Sequence, residues 1–222
     1  NRKSQEDLDT AVRQIVSKAV ASEGVVDIFA AAGLKNPDIS ILSDEFLDDL
    51  RNLPQKNLAL ELLRRLINDE IKARGRRNIV EARSFREMLE ASIVKYQNRA
   101  IETAEVIQEL IELAQQMQAS QRRGEELGLN VSEIAFYDAL ANNASALTVL
   151  GDATLRTIAR ELADRIRTSA TIDWTIKETV RAEMRAMVRR LLRKYKYPPD
   201  QQEAATDLVL VQAETLAHSL TD

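Results

Sequence analysis

Cysteine is absent from this chain of 222 residues, which excludes disulfides, thiolate metal sites and a cysteine nucleophile. Four prolines and six glycines leave little material for the tight turns of a β-rich fold. Aromatic residues are 4% of the chain, so Leu, Ile, Val, Ala and Met must supply the core. The single histidine, His218, has no Ser and Asp arranged around it as a catalytic triad requires. No apolar run approaches the roughly 18 residues of a membrane span. Sustained alternation of apolar and polar residues is also missing, so no sheet is expected.

What is present suits helices. Apolar residues are 45% and charged residues 30%, a balance that lets a helix bury one face and solvate the other. The net charge of −4 argues against a surface coated in base. The expected class is all-α, an irregular helical bundle organised around one long helix over about 84–118. In that stretch Phe85, Leu89, Ile93, Tyr96, Ala100, Ala104, Ile107, Ile111, Ala114 and Met117 recur at steps of three or four. Ser84 followed by Glu87 reads as its capping-box start. Such a rod would be about 50 Å long at 1.5 Å per residue.

Shorter helices are expected around it. Leu8 to Ala19 and Val25 to Ala32 have helical spacing, and Asn36-Pro37-Asp38 is turn chemistry. Ser43 caps a helix whose apolar side is Phe46, Leu47 and Leu50. Pro54 suits the first turn of the next, striped by Leu58, Leu62, Leu63, Leu66, Ile67 and Ile71 and ended by Gly75. Asn78 with Glu81 is a second capping pair. Residues 119–129 are polar and hold Gly124 and Gly128, which predicts the exit loop of the long helix and the candidate subdomain boundary of an otherwise single helical domain, 1–222. Asn130 with Glu133 caps a helix carrying Ile134, Phe136, Tyr137 and Leu140, ended by Asn142-Asn143. Beyond Gly151-Asp152, Leu155, Ile158, Ala159, Leu162 and Ile166 line one face. Asp173 caps a helix that Pro198-Pro199 stops. The last helix shows Ala204, Leu208, Val211, Leu216 and Leu220 as its apolar side.

Charge singles out the helix after Asp173. Lys177, Arg181, Arg185, Arg189 and Arg193 are four apart, so they form a slowly winding stripe. Arg190, Lys194 and Lys196 add to it. One reading is a contact with nucleic-acid phosphates or an acidic partner. The other is a solvated face paired with acids of neighbouring helices, and the acidic total favours it. A second basic group, Arg64, Arg65, Lys72, Arg74, Arg76 and Arg77, is read as surface together with complement to a helix C-terminus. Asp38, Asp44, Glu45, Asp48 and Asp49 lack the spacing of a calcium loop and are read as solvated helix surface. No phosphate-binding Gly loop and no paired-carboxylate pattern with a supporting base is present. No catalytic residue, cofactor site or metal site is therefore assigned, and the chain does not read as an enzyme.

Four ordered stretches carry a family resemblance: Asn36-Pro37-Asp38-Ile39-Ser40-Ile41-Leu42-Ser43-Asp44-Glu45-Phe46-Leu47, Ile134-Ala135-Phe136-Tyr137-Asp138-Ala139-Leu140, Ile172-Asp173-Trp174-Thr175 and Tyr197-Pro198-Pro199-Asp200. With the helices Leu58–Ile71 and Phe85–Ala114 between them, the chain resembles the C-terminal helical domain of the R (restriction and motor) subunit of type I restriction–modification enzymes. The resemblance implies a cytoplasmic, non-membrane complex. In it the complete R subunit joins an endonuclease domain and two ATP- and Mg-dependent motor lobes that translocate DNA. It also implies docking of the helical domain onto the methyltransferase core of M and S subunits, beside the motor lobes of its own subunit. The start at Asn1 rather than Met agrees with a C-terminal piece of such a subunit. Two other functions stay open on the residues: a domain that grips duplex DNA through Lys177 to Arg193, and a stand-alone helical regulator.

Overall fold

The computed structural model describes residues 43–169 and 178–219. Every regular element among them is a helix: α1 Asp44–Asn52, α2 Lys56–Gly75, α3 Ile79–Gln97, α4 Thr103–Leu127, α5 Val131–Ala141, α6 Ala144–Ser169, α7 Glu178–Lys194 and α8 Gln202–Ser219. The all-α class is the expected one. The helices expected over Leu8–Ala19 and Val25–Ala32 lie outside the described residues, as do the Asn36-Pro37-Asp38 turn, Asp173, Trp174, Lys177 and Leu220.

The single long helix over 84–118 is not formed; two helices share that stretch. The first starts earlier than expected, at Asn78, whose Oδ1 accepts the Glu81 N–H at 3.1 Å. Ser84 lies inside it. The first helix ends in a Schellman turn, with the Ala100 N–H on the Lys95 carbonyl at 2.9 Å and the Arg99 N–H on Tyr96 at 3.0 Å. Arg99 occupies the left-handed position, φ 56°, where glycine is usual. A new cap follows at Glu102, whose N–H is bound by the Glu105 carboxylate at 2.8 Å. The stripe therefore holds at Phe85, Leu89, Ile107, Ile111, Ala114 and Met117, which are buried, and fails at Ala100 and Ala104, which are exposed.

The exit loop expected over 119–129 is also mostly helix. α4 runs through Gly124 to Leu127 and ends in a second Schellman turn, with Gly128 at φ 63° and the Leu129 N–H on the Gly124 carbonyl at 2.8 Å. Pro54 stands outside α2, since Gln55 supplies the carbonyl that accepts the Leu58 and Ala59 N–H groups. Ser43 caps α1 as expected, accepting the Phe46 N–H at 3.3 Å. Asn130 and Glu133 form the full reciprocal box at the start of α5.

The chain divides into two compact units, one of Asn1–Asn68 with Leu89–Gln116, the other of Asp69–Met88 with Met117–Asp222. In the first, Leu47, Leu50, Leu63, Ile67, Val106, Leu110 and Ile111 are buried to 1% exposure or less. Lys95 meets Glu109 at 2.9 Å. Hydrogen bonds from Ser92 and then Lys95 hold the Glu109 carboxyl below its ordinary range.

The second unit is built on one apolar cluster: Phe136 and Leu140 of α5, Leu155, Ile158 and Leu162 of α6, Met184, Val188 and Leu192 of α7, Tyr197, and Val209 and Leu210 of α8. Burying each large side chain contributes about 2 kcal/mol. α6 is kinked at Gly151 (φ 73°, ψ 162°), where the sequence places its Gly-Asp break. The face of α8 differs from the expected one. Ala204 and Val211 are exposed, while Ala205, Thr206, Val209, Leu210, Gln212 and Ala213 point inward.

Candidate functional site

The basic stripe lies on α7, and the structure brings α8 against it. Arg181 pairs with Glu214 at 3.0 Å, Arg185 with Glu203 at 2.9 Å and Asp207 at 2.7 Å, and Arg189 with Glu203. The acids sit on α8 at helical spacing, so the two helices form an ion-pair ladder. The Arg189 bond holds Glu203 below the usual carboxylate range against the opposing effect of burial, and the Arg189 and Arg185 charges act with it. The same bond pushes Arg189 upward. Arg193 is exposed and makes no side-chain bond among the described residues. Of the five sequence-selected cations, three are thus in the ladder, one is open to solvent, and Lys177 lies outside the described residues.

At the end of α7 a second junction centres on Glu161 of α6. Its carboxylate accepts Lys194 at 2.9 Å, the Tyr195 hydroxyl at 2.8 Å and Arg165 at 2.7 Å. Burial raises its pKa, but the bonds from Lys194, Arg165 and Tyr195 outweigh that and lower it from 4.5 to about 2. Lys194 also lies over the Tyr195 ring, 4.8 Å from the centroid. A third Schellman turn follows, with Lys196 at φ 55° and the Tyr197 N–H on the Leu192 carbonyl at 2.9 Å. The buried Tyr197 hydroxyl donates to the Leu140 carbonyl at 2.8 Å.

The second unit also has a polar interior. Asn78 donates to Asp138 at 2.6 Å, and Arg123 bonds the other oxygen of the same carboxylate. The fully buried Gln212 takes the Ile79 N–H on its Oε1 at 2.9 Å and donates its amide to the Arg77 carbonyl at 2.7 Å. Arg74, expected on the surface or at a helix end, has a side chain only 10% exposed. It donates to Glu70 at 2.8 Å, Ser120 at 2.6 Å and the Met117 carbonyl at 2.7 Å, and stacks 5.5 Å from the Phe85 ring centroid. An open cleft of about 960 Å³ lies over these groups, with Arg74, Asn78, Glu81 and Ser120 in its wall. Of the donors that face it, Arg74, Asn78 and Ser120 are committed within the chain. Tyr137 donates to Asp152 at 2.6 Å, and burial followed by that bond pushes its hydroxyl pKa up to about 12.

Sequence reasoning missed the roles of Arg74, Asp138, Glu161 and Gln212. A signal existed for two of them. Asp138 interrupts the apolar run Ile134 to Leu140, and Gln212 interrupts Leu208 to Ala213. A polar residue inside such a run is buried with a partner.

Among the described residues no three His, Cys, Asp or Glu side chains gather as metal ligands would. No helix among them is long and apolar enough to cross a membrane. The fold and its junctions define an all-α module whose buried polar groups tie helix ends to one another. The chain belongs to the family described as type I restriction enzyme HindI endonuclease subunit-like, C-terminal, whose model matches residues 1–219. It is 40% identical over 210 residues to the type I restriction enzyme HindI endonuclease subunit of Haemophilus influenzae, covering 95% of this chain and 20% of that protein. It is 33% identical over 162 residues to the putative type I restriction enzyme MjaIXP endonuclease subunit of Methanocaldococcus jannaschii, covering 73% of this chain and 16% of that protein. The chain thus spans about a fifth or less of the length of these curated relatives. No solved structure matches it.

Proposed function

We propose that this chain is the assembly domain of a type I restriction endonuclease subunit, docking the motor part of the subunit onto the methyltransferase core of M and S subunits. The observation that carries the reading is the family match along nearly the whole chain, joined to an interior whose chemistry-bearing groups are spent on structure. Arg74, Asn78, Asp138, Glu161 and Gln212 all bond within the chain and fix helix ends. Side chains held that way supply rigidity. The domain's work is then packing and docking. Nuclease action, ATP and Mg²⁺ belong to other parts of the subunit, in a cytoplasmic complex.

The test is co-elution with the purified methyltransferase core. The full-length subunit and a version lacking this domain are each passed with the core over a sizing column, at moderate salt and without DNA. The reading expects a complex with the first and none with the second. Equal complex formation by the shortened subunit would place docking elsewhere.

A further inference from the structure

The bases of α7 divide into two sets. Arg181, Arg185 and Arg189 are matched by Glu203, Asp207 and Glu214 of α8. In the C-terminal set only Lys194 has an acid partner among the described residues. Arg190 spends its Nε on its own Ala186 carbonyl at 3.2 Å. Arg193 and Lys196 are exposed and make no side-chain bond among the described residues. Lys194 and Arg165 share the one Glu161 carboxylate. Among the described residues Arg190, Arg193 and Lys196 thus have no carboxylate partner. Glu183 lies seven residues before Arg190, about 10 Å along the helix and about one Debye length away at ordinary salt.

Arg190 stands three and four residues from Arg193 and Lys194, spacings at which like charges repel. The helix dipole offsets part of that in the last turn, but Lys196 lies beyond the helix. An excess of this kind calls for an outside anion. A protein partner would want an apolar anchor at the centre of its contact. The large apolar side chains exposed among the described residues are Met88, Val94, Val131, Leu147, Val149 and Val211, none of them on α7 or in the turn after it. The exposed side of α7 carries Ala182 and Ala186. The patch is therefore dominated by charge, as a phosphate contact is.

We infer that the C-terminal end of α7, through Arg190, Arg193 and Lys196 with Lys194 and Arg165 beside them, is a seat for the phosphate backbone of nucleic acid. The contact reads no sequence, because phosphates carry none. It is separate from docking onto the methyltransferase core. It also differs from a grip along the whole stripe, since Arg181, Arg185 and Arg189 are taken up by the acids of α8.

The test measures binding of the full-length subunit to a 30-base-pair duplex of arbitrary sequence by fluorescence anisotropy, between about 50 and 200 mM NaCl. The triple variant Arg190→Gln, Arg193→Gln, Lys196→Gln should lower the steepness of log affinity against log salt by about 2 to 3, at roughly 0.9 per phosphate contact. Each single variant should lower it by about 0.9, which keeps the test readable should the triple variant fold poorly. Arg181→Gln with Arg185→Gln should leave the slope unchanged. An unaltered slope in the triple and single variants overturns the seat, and so does an equal drop in the Arg181/Arg185 control. Loss of co-elution with the methyltransferase core at an unaltered DNA slope also overturns it, in favour of an acidic protein surface.

Discussion

Asn78, at the start of α3, donates its side-chain amide to Asp138 in the middle of α5 at 2.6 Å, across 60 residues of sequence. Both residues are buried. The same carboxylate takes Arg123, and the same asparagine caps α3 through the Glu81 N–H. One acid in an apolar helix thus ties together the entry of α3, the last turns of α4 and the body of α5.

Removing that acid leaves a buried amide and a half-buried guanidinium without a partner. Asp138→Ala should cost about 3 kcal/mol, the size expected for orphaned buried polar and charged groups. Urea unfolding of the two proteins checks it. A loss below about 1 kcal/mol would show that water replaces the carboxylate at little cost.

Arg99 sits at φ 56° in the Schellman turn between α3 and α4, where an L side chain is strained by roughly 1 kcal/mol. Arg99→Gly should therefore raise stability by about that much, a gain from a substitution that usually weakens proteins. Gly128→Ala, at φ 63°, should lower it by a similar amount. Unfolding midpoints for both variants give the signs directly.

Glu161 has its pKa lowered from 4.5 to about 2 in the folded chain. A depressed folded-state value means the unfolded chain binds the proton more readily. The junction's contribution is present above about pH 4.5 and is lost as pH falls toward 2. Glu161→Gln should be less stable than the parent at pH 7, and the gap should close across that window. A gap that stays constant with pH would mean the carboxylate's charge contributes nothing to the junction.

The isolated Arg181–Glu214 pair, 3.0 Å apart, tests the register of α7 against α8. Arg181→Glu alone and Glu214→Arg alone should each lower the thermal midpoint, because each puts two like charges together. The double exchange should recover more than half of the loss. Additive losses in the double variant would show that the two residues do not meet.

Much of the helix content is local and was legible. Ser43, Asn78 and Asn130 cap because a short oxygen-bearing side chain reaches the N–H groups two or three residues on. The stripes Leu58 to Ile71 and Leu155 to Ile166 are buried because a run of Leu and Ile at steps of three and four admits one inward face. The break at Arg99 carried no such mark. Neither glycine nor proline stands there, and apolar spacing on both sides continues across it. The face of α8 was misread for a related reason. Val211 looks like a core residue in isolation, but α8 turns its acids toward the arginines of α7, which carries Val211 outward and Gln212 in.

Composition and periodicity by themselves determined that this is an all-α chain with cores of Leu, Ile and Val. Those properties rest on propensities and spacings within a turn or two of helix. Tertiary structure alone decided which bases are matched. Arg185 finds Asp207 22 residues on and Lys194 finds Glu161 33 residues back, while Arg193 and Lys196 find no acid among the described residues. A charge's partner is set by which helix packs beside it, and packing is set by burial of apolar faces far apart in the chain.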